Sequence, residues 1–375
     1  MVLRLGGASV SLPRIDILVS ALKRPETLCA LRPGEWDLLI RQGRPADLLA
    51  RVGALAQAGG HWHALPDAPR RHLASACKLA DRQHRELRHE VKQIARALQP
   101  IGVPVVLLKG AAYTLAGLGA SIGRMVSDVD ILVPRERLAE VESALMMAGW
   151  VSTNRDAYDQ RYYRTWMHEL PPLKHMERGT VLDVHHAIMP LTARLKPDSR
   201  LLLDSARPVV DDGSICVLDP ADMVLHSAAH LFHEGELELG LRGLVDLDAL
   251  LREFSVVDGF WQRLLDRAGL LQLEWPLHQA LRYVGLLLEA PVPASAVEAL
   301  RARPAVQVGA RRQRWMDALF LRALRPAHAS ASDTWTPLAR FVLFVRGHWL
   351  RMPPGKLAVH LLRKLTRPSP PAPQA

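Results

Sequence analysis

Two aspartates one residue apart, Asp128 and Asp130 in Ser127-Asp-Val-Asp-Ile-Leu-Val133, interrupt an otherwise apolar strand pattern. On a β-strand, residues i and i+2 share a face, so both carboxylates project together while Val129, Ile131 and Val133 line the opposite side. Hard oxygen ligands suit Mg²⁺ or Mn²⁺. A carboxylate pair can also bridge two such ions held about 3.5–4 Å apart, as in phosphoryl-transfer enzymes. The competing account is an edge strand with a solvated polar face, and Asp-x-Asp alone does not separate the two.

The elements around this motif must position it. Val103-Pro-Val-Val-Leu-Leu-Lys109 reads as a buried strand, followed by Gly110 and a small-residue helix from Ala111 to about Leu118. A strand, a glycine turn and a helix N-terminus present backbone N–H groups and a positive dipole end to a phosphate. Lys109 and Arg124 add positive charge. An ordinary turn glycine is the simpler account of Gly110. A third carboxylate must come from another strand, and Val181-Leu-Asp-Val-His-His186 supplies Asp183 with His185 on the same face. A local pairing with arginine is the alternative for Asp183. On a predicted helix, His226, His230 and His233 fall at i, i+4 and i+7. They lack the glutamate of the His-Glu-x-x-His pattern and a clear further ligand, which argues against a zinc protease.

Leu107-Leu-Lys-Gly110, Arg124 and Ser127-Asp-Val-Asp-Ile-Leu-Val133, followed by a helix and Gly149-Trp150, together resemble a largely uncharacterised bacterial nucleotidyltransferase family. That family belongs to the DNA-polymerase-β-like superfamily. The resemblance continues through Val181-Leu-Asp-Val-His-His186, His230-Leu-Phe-His233 and Arg242-Gly-Leu-Val-Asp-Leu-Asp248, covering roughly residues 100–255. Where the superfamily usually carries Gly-Ser shortly before the acidic motif, this chain has Lys109-Gly110 and a longer spacer. The resemblance implies transfer of a nucleoside monophosphate from an NTP to an unidentified acceptor, a small molecule, peptide or protein. It implies Asp128, Asp130 and Asp183 as catalytic ligands of Mg²⁺ (or Mn²⁺) and Lys109, Gly110, Arg124 and Ser127 as nucleotide-binding residues. His185, His230 and Asp246 would orient substrate. A protein of another class, a non-catalytic scaffold on the same fold, would be expected to dispense with the three aspartates.

Composition agrees with a globular chain. At 375 residues and 49% hydrophobic content it can bury one large core or two moderate ones. Cys29, Cys77 and Cys216 are few, odd in number and far apart, which fits a reducing cytoplasm better than a disulfide framework. The N-terminus lacks the apolar core of a signal peptide, and no uncharged apolar run approaches bilayer-spanning length. The net charge of +10 is uneven: from Arg301 onward, 14 Lys and Arg face only Asp317 and Asp333. Such a region suits an anionic partner such as nucleic acid or a membrane surface, although an arginine-favouring coding bias produces the same count. The stretch from Trp335 to Leu365 mixes basic and large apolar residues, so a peripheral membrane contact is one expectation and ordinary helical packing the other.

The fold class expected is α+β, a small mixed β-sheet nucleotidyltransferase core between helical regions. The expected division is an N-terminal helical region (1–100), the core (101–218), a C-terminal helical region (219–366) and a proline-rich, disordered tail (367–375). Helices are predicted at Ile15–Leu31, Glu35–Arg41, Pro45–Gln57, Pro69–Leu98 and Arg135–Met147. Strands are predicted near Gln160–Trp166 and Val181–His186, with a hairpin around Asp211-Asp212-Gly213. Further helices are predicted at Ala221–His233, Leu241–Phe254, Phe260–Ala268 and Trp275–Leu288. The long helix from Pro69 carries one apolar stripe through Leu73, Cys77, Ala80, Leu87, Val91, Ile94 and Leu98.

Overall fold

The computed structural model describes residues 2–5, 8–11, 17–153, 156–209, 213–233, 235 and 237–352. After a two-stranded ribbon, β1 (Val2–Leu5) and β2 (Ala8–Ser11), come four helices: α1 (Ile17–Lys23), α2 (Pro33–Gly43), α3 (Leu49–Ala58) and α4 (Asp67–Leu98). The single helix expected over Ile15–Leu31 stops at Lys23 and continues as a 3₁₀ turn, Pro25–Ala30, because Pro25 can donate no helical hydrogen bond. In α4 the expected stripe turns inward, with Leu73, Ala80, Leu87, Val91, Ile94 and Leu98 all buried. That long face is the shelf on which the sheet rests.

The core follows as β3 (Val105–Leu107), α5 (Lys109–Leu115), β4 (Asp128–Leu132), α6 (Leu138–Met147), β5 (Trp150–Ser152) and α7 (Ala157–Trp166). It continues with β6 (Leu173–His175), β7 (Val181–His185), α8 (Ser199–Asp204), β8 (Arg207–Pro208) and β9 (Ile215–Val217). The sheet order is β5-β6-β7-β4-β3-β9-β8. β4 runs parallel to β7 and antiparallel to β3, so the sheet is mixed and the fold α+β. The strand expected near Gln160–Trp166 is a helix. Its aromatic residues suggested a strand, but Tyr162 and Trp166 pack edge to face at 5.6 Å as i and i+4 neighbours on α7. β8 and β9 pair antiparallel as the expected hairpin requires, while Asp211 and Asp212 of its turn lie outside the described residues, as does the tail.

Seven helices follow among the described residues: α9 (Pro220–His233), α10 (Gly240–Phe254), α11 (Phe260–Leu270), α12 (Glu274–Leu288), α13 (Ala294–Arg301), α14 (Ala310–Ala323) and α15 (Thr336–Arg351), the last packed on α14. α9 is buried on nearly every side, and one hydrophobic core runs from Leu18 to Leu343 through sheet and helices alike. None of the described helices is long and apolar enough to cross a membrane, and the three cysteines are unpaired.

The segment leading into β4 is pinned from three sides. Arg51 of α3 donates to the carbonyls of Gly119 and Ala120 at 2.8 and 2.7 Å, and Gly119 N–H donates to Glu253 of α10. Gln83 and His84 of α4 take the next contacts, Gln83 accepting from Val126 N–H and His84 meeting the Arg124 carbonyl at 2.8 Å. At Gly123 the chain has φ +62, and a Cβ there would lie 2.6 Å from the backbone of Ala50 and Arg51. Gly117 has φ +68 but open space around it. Gly117→Ala should therefore cost only the left-handed conformation, about 1 kcal/mol. Gly123→Ala should cost about 1–3 kcal/mol more for overpacking against rigid backbone. Chemical denaturation of the two variants measures the difference; equal losses would show that α3 does not grip this loop.

Candidate active site

β4 alternates as its sequence requires. Val129 and Ile131 are buried in the core, whereas Asp128 and Asp130 face the other way. In the parallel ladder with β7, Asp130 is the direct register partner of Asp183, so the two carboxylates stand side by side on one face. Asp130 is only 7% exposed. Burial favours its neutral form, but the Lys109 ammonium at 3.3 Å and the His185 ring, with Nε2 at 2.9 Å, hold the carboxyl far below the usual carboxylate range. Asp183 goes the opposite way. Burial, then the charges of Asp130 and Glu169, push it up to about 7. Its Oδ1 is buried and has no hydrogen-bond partner. His185 is raised: burial opposes its charge, but the Asp130 hydrogen bond and the charges of Asp130 and Glu169 prevail. Ser127 donates its hydroxyl hydrogen to Asp128 at 3.2 Å.

A cleft of about 230 Å³ opens over these groups. Lys109, Gly110, Arg124, Ser127, Asp128 and Asp130 line one side, and His230 and Asp246 the other. Asp183 and His185 are not on its wall; they adjoin Asp130 within the sheet. Sequence spacing put the strand-to-helix turn at Gly110, but the left-handed residue is Lys109, φ +46, and β3 ends at Leu107. Gly110 serves a different need. A Cβ there would collide with the Arg124 guanidinium, which lies against the first turn of α5. No side chain caps that turn.

Arg124 and Asp246, expected in separate roles, form one buried pair with Nε to Oδ2 at 2.8 Å. The guanidinium also sits 5.6 Å over the Tyr113 ring. Tyr113 and Arg242 are wall residues that sequence reasoning did not assign. The Tyr113 hydroxyl meets Ser227 at 2.6 Å and is pushed up to about 12 by burial and the Asp246 charge. Arg242 pairs with Asp47 at 3.0 Å; burial and the neighbouring Arg124 lower its proton affinity. Its i,i+4 spacing from Asp246 was the available signal, since that spacing puts both on one face of α10. The histidines of α9 do not gather as a metal cluster among the described residues. His226 is held neutral by burial and by Lys109. A second cleft of about 270 Å³, lined by Gln83, Glu86, Glu90 and Thr180, shares Val126, Ser127 and Asp128 with the first. Asp128 therefore stands where the two clefts meet.

A buried carboxylate oxygen without a donor, beside a second carboxylate in register, is a place of uncompensated negative potential. Asp128, Asp130 and Asp183 offer hard oxygen donors of the kind a divalent cation such as Mg²⁺ takes, while among the described residues the three ligands whose atoms lie within 4.8 Å of one another are His168, Glu169 and His185. In metal-free protein, a folded-state value near 7 for Asp183 lies above its unfolded value. The folded state then binds the extra proton between about pH 4 and 7, so this group's contribution to stability falls as pH rises through that window. Asp183→Asn should accordingly raise the thermal midpoint of metal-free protein at pH 8 and change it little at pH 4. Thermal denaturation at both values checks this, and an equal shift at both would refute it.

Residues 32–289 match a family described as uncharacterised nucleotidyltransferase. A comparison with curated proteins gives no match. The match covers well over half of the chain and includes both halves of the cleft, from Lys109 to Asp246. The chain belongs to this uncharacterised nucleotidyltransferase family.

Proposed function

We propose that this protein is a metal-dependent nucleotidyltransferase that moves a nucleoside monophosphate from an NTP to a hydroxyl or phosphate on its acceptor. Asp128, Asp130 and Asp183 would hold two Mg²⁺ ions. The observation that carries this reading is the register pair Asp130–Asp183 with its donorless buried oxygen, next to the solvent-reaching Asp128. Bound divalent ions supply Lewis acidity and charge neutralisation at the transferring phosphoryl group.

The protein's own groups do the rest. Lys109, at the mouth of the uncapped first turn of α5, attracts the phosphates. Arg124 is pre-oriented by Asp246 and by the Tyr113 ring, so it faces charge developing on the leaving pyrophosphate without reorganising. Asp183, the register partner of Asp130, would be the third carboxylate and the proton acceptor for the attacking hydroxyl. His185 holds Asp130 in place through Nε2. The NTP occupies the cleft that carries Lys109, Arg124 and Arg242, and the acceptor reaches Asp128 from the second cleft, on the side of Gln83 and Thr180.

Pyrophosphate release with Mg²⁺, each NTP and cell extract as acceptor tests the activity. Asp128→Asn and Asp130→Asn should each lower turnover roughly 100-fold or more with the fold intact. Activity within a few-fold of the parent in either variant would remove the assignment. Lys109→Gln should weaken NTP binding more than it lowers turnover. Thermal stability with Mg²⁺ and nucleotide separates the enzyme from a scaffold, since only a native-state ligand raises the midpoint.

A further inference from the structure

His168, Glu169 and His185 bring three ligand atoms within 4.8 Å of one another behind the aspartate pair. Both imidazoles are buried, at 8% and 4% exposure. The backbone fixes them. Glu169 and His185 form an antiparallel β-bridge, and the His168 carbonyl accepts from the N–H groups of His186 and Ala187 at 2.8 and 3.2 Å. The His185 ring divides its nitrogens between two carboxylates: Nε2 lies 2.9 Å from Asp130, and Nδ1 lies 3.4 Å from Glu169 Oε2.

The second distance is informative. Charge-assisted N–H···O bonds run at about 2.7–2.9 Å, so 3.4 Å is long for one. It matches instead the edge of a tetrahedron whose metal–ligand bonds are about 2.0–2.1 Å, an edge of about 3.3–3.4 Å. The His168 ring lies 5.2 Å from that of His185, tilted by 35°, and one ligand atom of each ring and of Glu169 falls within the 4.8 Å that a shared ion would span. Two imidazoles and one carboxylate form a borderline-soft set that Mg²⁺ does not select. A metal on Nδ1 would place the ring hydrogen on Nε2, where it donates to Asp130, the carboxylate–histidine–metal arrangement in which an outer carboxylate orients a ligand.

We propose that His168, Glu169 and His185 form a second metal site, for a divalent ion of the Zn²⁺ class, distinct from the Asp128–Asp130–Asp183 group and joined to it through His185. The site stands whether or not the aspartates bind Mg²⁺. The test uses the full chain, stripped with chelator and then given Zn²⁺ in the presence of excess Mg²⁺. Elemental analysis after gel filtration should find near-stoichiometric zinc, and Co²⁺ in its place should give the visible spectrum of a four-coordinate nitrogen–oxygen site. Glu169→Gln, nearly isosteric, and His168→Ala should lose the bound zinc and the Co²⁺ spectrum. Circular dichroism confirms that each is folded, and Glu169→Gln serves if His168→Ala is not. Asp128→Asn should keep both signals while losing Mg²⁺-dependent nucleotide binding. Absence of stoichiometric zinc in the parent protein would overturn the site. So would zinc that survives Glu169→Gln but disappears with Asp128→Asn, because the ion would then sit among the aspartates.

Discussion

The parallel pairing of β4 with β7 sets Asp130 beside Asp183 at neighbouring-strand distance on a mostly buried face, and the surrounding structure answers that crowding of charge. Two carboxylates so placed cannot both ionise cheaply. Lys109 and His185 settle the matter in favour of Asp130, leaving Asp183 to bear the cost as a raised proton affinity and a donorless oxygen. A fold seeking stability alone would have an apolar pair here, as Val129 opposite Leu182 shows one residue earlier in the same ladder. The strain is thus confined to one face of two strands, with ordinary packing on the other.

Holding Arg124 near that face takes a long chain of supports. The segment from Gly119 to Ser127 has no regular structure beyond one 3₁₀ turn, yet α3, α4, α5 and α10 each fix part of it. Arg51 and Glu253 hold its start, Gln83 and His84 its end, and Asp246 the guanidinium itself. The N-terminal helices are therefore part of the site's support, because without α3 and α4 the arginine's backbone would lose its anchors. Arg124 and Asp246 belong to elements 122 residues apart, and each is nearly inaccessible, so neither charge is left buried without its counterpart.

Much of this was legible in the sequence where a period or a spacing carried it. The Asp-x-Asp strand, the α4 stripe and the helices α9 to α12 follow directly from periods of two and 3.6. Short strands escaped, since Trp150–Ser152 and Leu173–His175 span three residues each, too few to show alternation. α7 was misread because Tyr and Trp favour strands unless they meet as i,i+4 neighbours. The tie between Arg124 and Asp246, and the gathering of His168 and Glu169 around His185, depend on strand order and helix packing. Local sequence does not encode these.

The C-terminal charge shows the same limit from another side, because a net charge counts residues and not free charges. Arg282 forms a two-bond pair with Asp317, and Arg322 and Arg325 converge on Asp333, so both acids of the basic region are already engaged. Arg340 donates to the carbonyls of Arg325 and Pro326. Arg346 donates to the Phe232 carbonyl and lies 4.4 Å over the Trp275 ring, where burial and the charge of Arg312 push it down to about 10. These arginines face the interior of the helical layer, while Leu338, Phe341, Val345 and Trp349 of α15 are exposed. Arg346 thereby fastens α15 to the C-terminal end of α9, the helix whose Ser227 and His230 line the cleft. Arg322, Arg325, Arg340 and Arg346 thus brace the helical layer behind the candidate active site, whereas Arg301, Arg303, Arg311, Arg312 and Arg314 of the same region are exposed.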